Sequence, residues 1–119
     1  METASMNRYA LQFDERRQAV KEKVYAFLKT IPKGKVATYG QIATYLGNKR
    51  LARMVGNILH NNPNPSEFPC HRVVNSKGHV ADHFAFGGAA AQRKLLEKEG
   101  IVFKPNGNIN LEIYGIKVE

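Results

Sequence analysis

Cysteine is nearly absent from this chain: among 119 residues there is one, Cys70. A single thiol cannot form an internal disulfide, and it suits a reducing compartment. One cysteine and four dispersed histidines also give no paired ligand spacing of the zinc kind. Long apolar runs are missing too, since none approaches the roughly 20 residues that cross a bilayer. The opening stretch METASMNRYALQFDERR has neither a signal-peptide apolar region nor a cleavage site. A cytoplasmic protein with no membrane partner is the simplest expectation, and a monomer the simplest state. Acidic residues are scarce, ten against eighteen Lys and Arg, for a net charge of +8. The imbalance is local: residues 1–60 carry eleven basic and four acidic side chains, whereas residues 61–119 carry seven and six. From Lys33 to Arg53 there are five basic residues and no acidic one. Such an excess points to an anionic partner, nucleic acid ahead of an acidic membrane surface, although a solvated basic face needs no partner at all.

What is present reads as an ordinary globular domain. Apolar residues make up 43% and charged residues 24%, and the chain is long enough for one core but not for two. A single domain over 1–119 is expected, with a polar extension at 1–14. Asp14 can cap a helix whose apolar positions Val20, Val24, Phe27, Leu28 and Ile31 follow helical spacing. Pro32 and Gly34 end it. After the short extended stretch VATYG comes QIATYL, a helix of under two turns closed by Gly47 in the left-handed region. Asn48 can then cap KRLARMVGNILH, with Ala52, Val55 and Leu59 on one face and Lys49, Arg53 and Asn57 on the other. Two helices joined by a tight glycine turn, the second with a basic face, are the arrangement of a helix-turn-helix.

Beyond these helices, NNPNPSEFP is too polar and too broken to be a regular element. CHRVVNSKGHV predicts a short strand, a turn at Ser76–Gly78 and the start of a second strand. DHFAFGG predicts a loop, AAAQRKLLEKEG a helix ended by Gly100, and residues 103–119 a terminal hairpin around NGN. The fold class is therefore mainly α with a small β component, of winged helix-turn-helix type.

Cys70 raises the chemical question. A thiol near its ordinary pKa of about 8.5 is mostly protonated at neutral pH, so a reactive cysteine needs a base or a positive field beside it. His71 and Arg72 follow directly, but strand neighbours face opposite ways, so Cys70 and His71 meet only if the chain turns there. Pro69 favours such irregular geometry. On residue chemistry alone a buried structural cysteine and a nucleophile both remain open.

The blocks IPKGKVATYGQIA, RLARMVGNILHNNP, PCHRVVNSKG and GGAAAQRKLLEKEGI, in this order over roughly residues 31–102, closely resemble the C-terminal domain of O6-alkylguanine-DNA alkyltransferases. PCHRVV is the most specific of them. The resemblance implies a DNA repair protein that rotates O6-alkylguanine out of duplex DNA and takes the alkyl group irreversibly onto its own cysteine, with no cofactor. Carried onto this chain, it makes Cys70 the acceptor and His71 a water-mediated base oriented by Glu99. Asn62 braces the active-site turn. Arg53 fills the vacated stack, and Tyr39 helps rotate the nucleotide. The carbonyls of Cys70 and Val73 accept from the guanine amino group, and the Phe86 N–H donates toward O6. Where the family commonly has a tyrosine and serine before the glycine pair, this chain has Ala85 and Phe86 in a segment about two residues longer. A related group, the alkyltransferase-like proteins, binds the lesion and signals to another pathway without transfer. Its members usually replace the cysteine, which this chain retains.

Overall fold

The computed structural model describes residues 2–117, with side chains described from residue 15 onward. The first helix, α1, spans Glu2–Thr30. It begins well before the position expected, and Asp14 lies inside it instead of at its start. The reason is local: no proline or glycine interrupts residues 2–31, and Ala, Leu, Gln, Glu, Arg and Lys dominate the stretch, so nothing stops helix propagation toward the N-terminus. The buried stripe is the one the spacing predicts, with Val24, Phe27, Leu28 and Ile31 all buried.

Two short strands follow that plan. β1 (Ala37–Thr38) pairs in parallel with β2 (Val73–Val74), with Ala37 opposite Val73 and Thr38 opposite Val74. Thr38 ends β1 and also caps α2 (Tyr39–Tyr45). Its side chain accepts from the Gln41 N–H at 3.1 Å while Gln41 Oε1 accepts from the Thr38 N–H at 2.9 Å, a reciprocal capping box. Gly47 takes φ +96°, the left-handed conformation that glycine reaches without a Cβ penalty. Asn48 then accepts from the Arg50 N–H and starts one tight 3-10 turn, Lys49–Leu51, which runs into α3 (Ala52–His60). Val55, Ile58 and Leu59 of α3 are buried, and α2 packs on α3 as the helix-turn-helix pattern requires.

The second half departs from expectation in two places. Cys70–Arg72 form a 3-10 turn, not strand, and only Val73–Val74 are extended. The Asn75–Gly78 turn forms, with the Gly78 N–H on the Asn75 carbonyl and the Asn75 N–H on the His79 carbonyl, but no second strand follows it. Gly78 must be glycine, since its φ is +82° and a Cβ there would lie 2.2 Å from the Ile109 carbonyl oxygen. After the loop, α4 covers Gly88–Lys98. The terminal hairpin expected over 103–119 does not form among the described residues; residues 118–119 lie outside them. A turn closes between Lys104 and Asn108, but Asn110 then accepts from the Glu112 N–H and opens a one-turn helix, α5 (Leu111–Tyr114). A capping asparagine in front of LEIY outweighs apolar alternation of period two. The chain after α5 returns to the sheet, where Gly115 bridges Val36 and Gln41 Nε2 donates to the Ile116 carbonyl at 2.9 Å.

Candidate active site and nucleic-acid interface

The site is built where the ends of α1 and α4 meet the turn that follows Pro69. Residues 61–69 lead into it, and Asn62, itself buried, holds that loop from inside. Its Nδ2 donates to the Phe68 carbonyl at 2.7 Å, and its Oδ1 accepts from the Asn64 N–H at 3.0 Å. On the outside, Lys29 of α1 pairs with Glu67 at 2.9 Å and sits over the Phe68 ring. Tyr25 stacks on that ring at 4.8 Å between centroids. The loop is thus fixed to α1 and delivers Cys70 into the main core, together with Tyr25, Tyr39, Phe68 and Phe84.

Cys70 is 4% exposed. Burial pushes its thiol above the ordinary value, and hydrogen bonds from Asn62 and from the backbone offset only part of that. The resting thiol is therefore protonated at neutral pH, and ionising it takes a base. His71, next in the 3-10 turn, has its Nε2 3.1 Å from Glu99 Oε2. The contact is close but out of line for hydrogen bonding, and Nε2 has no other partner. A proton on Nε2 facing this carboxylate leaves Nδ1 as the acceptor, the tautomer that a base needs.

Arg72 completes the cluster, in a role that sequence reasoning did not give it. Its Nε and Nη2 donate to the two Glu99 oxygens at 2.9 and 2.6 Å, and its Nη1 donates to the Ile31 carbonyl at 2.8 Å. Glu99 is the C-cap of α4, where a carboxylate opposes the helix dipole. Burial alone would raise its pKa, but the paired hydrogen bonds from Arg72, with the nearby His71 ring and the Arg72 charge, bring it below the ordinary carboxylate value. Glu99 is therefore ionised at neutral pH. Gln92 was also missed. It is 1% exposed, accepts from the Ala81 N–H at 2.8 Å, and donates to the His71 and Val73 carbonyls at 3.0 and 2.9 Å. A glutamine in helical register with Ala89 and Leu96, on the face that turns inward, was the available signal.

Val73 is fully buried and its carbonyl already accepts from Gln92, while the Cys70 carbonyl accepts from the Val73 N–H. Each carbonyl oxygen has two lone pairs, so one protein partner leaves each of them able to accept from a further donor. Phe86 is exposed and meets Phe84 edge-on at 5.7 Å. The two rings line a cavity of about 530 Å3 with Pro69, His71, Leu95 and Glu99. Cys70 is not on its wall.

Tyr39, half-buried at the start of α2, packs against the Cys70 cluster. Burial, and then the charge of a Cys70 thiolate, raise its phenol pKa. Arg53 is exposed on α3, in helical register with Gly56, Asn57 and His60. A Cβ built on Gly56 meets nothing within 4 Å, so packing within the protein does not call for glycine there. Among the described residues no three His, Cys, Asp or Glu side chains converge as a metal site, and no helix is long and apolar enough to cross a membrane.

The chain is similar to known proteins in both sequence and fold. Residues 19–101 match the family model described as 6-O-methylguanine DNA methyltransferase, DNA binding domain. The chain is 40% identical over 81 residues to the mouse (Mus musculus) methylated-DNA–protein-cysteine methyltransferase, covering 68% of this chain but only 38% of that protein. It is 35% identical over 100 residues to the DNA base-flipping protein of Escherichia coli K12, covering 84% of this chain and 76% of that one. Among solved structures, Schizosaccharomyces pombe Atl1 bound to damaged DNA containing O6-carboxymethylguanine superposes with a TM-score of 0.72 at 36% identity, over 85% of this chain and 97% of the other.

Proposed function

From the chain's membership of the 6-O-methylguanine DNA methyltransferase DNA-binding family, we propose that it is a cytoplasmic, monomeric, single-turnover repair protein that flips O6-alkylguanine from duplex DNA and transfers the alkyl group to Cys70. The observation that carries this reading is what the 3-10 turn brings together: a buried Cys70, His71 next to it in the chain with Nε2 3.1 Å from Glu99, and Glu99 held ionised by Arg72. His71 Nδ1 takes the thiol proton through a water. Sγ attacks the alkyl carbon as the carbon–O6 bond breaks, and the guanine, still joined to its strand, becomes neutral by taking up a proton, so that the net transfer carries the thiol proton by way of His71 and water to the base. This is the logic of nucleophile, base and orienting group. The thioether formed is stable, so each chain acts once.

A stacked guanine keeps its O6 substituent away from a buried thiol, so the base must leave the duplex. Arg53 on the outward face of α3 fills the gap, Tyr39 helps turn the nucleotide, and Asn62 holds the active-site loop in register. Phe84 and Phe86 offer rings to cover the base, in place of the tyrosine and serine common at this point.

Incubating a slight excess of protein with duplex DNA containing O6-methylguanine, then digesting the DNA and separating the nucleosides, tests this directly. The lesion should disappear and guanine should appear, with at most one event per chain. A lesion that persists in a duplex the protein binds would contradict transfer and leave the non-transferring, lesion-marking activity. Gly56 gives a check on the interface. Gly56→Ala should stabilise the free protein by about 0.5 to 1 kcal/mol through helix propensity, while weakening duplex binding, because the methyl stands between the α3 backbone and the DNA. Raised thermal stability with unchanged affinity would remove this face of α3 from the interface.

A further inference from the structure

A second basic feature lies outside the transfer chemistry. Between α1 and α3 runs a groove of about 470 Å3, with Arg17 and Lys21 of α1 on one side and Arg53, Asn57 and Asn61 on the other. Tyr25 joins the two helices beside it, its hydroxyl donating to the Ile58 carbonyl at 3.2 Å. Arg17, Lys21 and Tyr25 are spaced i, i+4, i+8 and so form one stripe along α1. At a rise of about 1.5 Å per residue, that stripe carries cationic side chains roughly 6 and 12 Å from Tyr25. Phosphates on one strand of a duplex recur about every 3.4 Å along the axis, so the stripe spans roughly three nucleotides.

Charge and continuity select the occupant. Among the described residues no acidic side chain lines the groove, although Glu15 and Glu22 lie on the same helix. Arg53 and Asn57 belong both to the groove and to the outward face of α3, so a strand that meets α3 continues onto α1 over a floor of Tyr25, Met54 and Ile58 with cationic and amide groups on both sides. Guanidinium, ammonium and amide groups are the donors that hold phosphate oxygens and fix register without reading sequence. The family match begins at residue 19, so Lys21 lies inside it and Arg17 outside it.

We propose that this groove is a second DNA-backbone site, in which Arg17 and Lys21 grip the phosphates that flank the nucleotide attended by Arg53. It rests on the DNA-binding reading above and adds an anchor indifferent to the lesion. Its signature is electrostatic. Each phosphate that the protein no longer neutralises lowers the steepness of log K against log salt by about 0.9, so two lower it by about 1.8.

The experiment measures equilibrium binding of the full chain, over a salt series, to a duplex containing O6-methylguanine and to the same duplex with guanine. Arg17→Gln/Lys21→Gln should flatten the salt dependence by about 1.8 and weaken both duplexes by the same factor, leaving their ratio unchanged. Arg17→Lys/Lys21→Arg, which preserves charge, should keep the wild-type slope and shows that packing is not the cause. An unchanged slope in the glutamine variant, or a loss confined to the lesion duplex, overturns the proposal. A wild-type protein without lesion preference whose slope still flattens in the glutamine variant would sink the base-flipping reading and leave this one standing.

Discussion

Replacing Glu99 by glutamine should slow alkyl transfer by about a hundredfold to ten-thousandfold, the range that a positioned acid–base group contributes. Glutamine keeps the shape of the side chain but reverses its hydrogen-bonding logic. Its amide can donate to His71 Nε2, which moves the imidazole proton to Nδ1 and leaves no acceptor for the Cys70 proton. It also removes the charge that supports an imidazolium once His71 has taken that proton. Since Cys70 is buried and its pKa raised, there is little thiolate in reserve to bypass the base. Single-turnover rates on O6-methylguanine duplex measure the loss, and lesion affinity should change far less. A rate within a few fold of wild type would take Glu99 out of the mechanism.

Stability should carry the same signature through pH. The folded pKa of Glu99 lies below the reference value of 4.5, so its ionised form stabilises the native state above that value. This contribution is lost as pH falls through the lower folded pKa. The stability gap between wild type and Glu99→Gln should therefore be full at neutral pH and close only below pH 4.5, measured by urea unfolding across an acid series. For Cys70 the direction reverses. Its raised pKa favours the folded state below the unfolded thiol value, and that advantage falls as pH rises above it.

Arg72→Met should destabilise the protein by about 3 kcal/mol or more, the cost of removing one partner from a largely buried ion pair. Three donors are lost together, two to Glu99 and one to the Ile31 carbonyl at the end of α1. Methionine preserves most of the volume, so the cost reports the stranded carboxylate rather than a cavity. With side-chain exposures of 17% for Arg72 and 12% for Glu99, solvent has little access to replace those bonds. Combining Arg72→Met with Glu99→Gln should recover part of the loss, which a double-mutant cycle reads as coupling. A single-mutant loss below about 1 kcal/mol would instead place the pair with ordinary surface bridges.

The helix-turn-helix was legible because its information is local. Thr38, Gln41, Gly47 and Asn48 act on neighbours within a few residues, and Val55 and Leu59 repeat at helical spacing. The start of α1 was misread because Asp14 resembles a cap wherever apolar periodicity begins, although residues 2–14 contain nothing that stops a helix. The C-terminal segment misled in the opposite direction. Alternating Ile109, Leu111 and Ile113 has the period of a strand, and only the side chain of Asn110, by capping, turns the chain into α5. Arg72 and Gln92 were least legible, because their partners lie 19 to 41 residues away or, for Ala81, on a loop 11 residues back. No local pattern encodes such contacts. Cys70, His71 and Glu99 became readable through resemblance across separate blocks, while residue chemistry alone left both a structural thiol and a nucleophile open, with the structural reading slightly ahead.

The account's central claim is that Cys70 accepts the alkyl group. It is tested most directly by the mass of the intact protein after reaction with duplex containing O6-methylguanine, followed by peptide mapping. The protein should gain the mass of one methylene group, located on Cys70 and absent from Cys70→Ala. A wild-type protein that binds the lesion duplex tightly and keeps its original mass would contradict the claim.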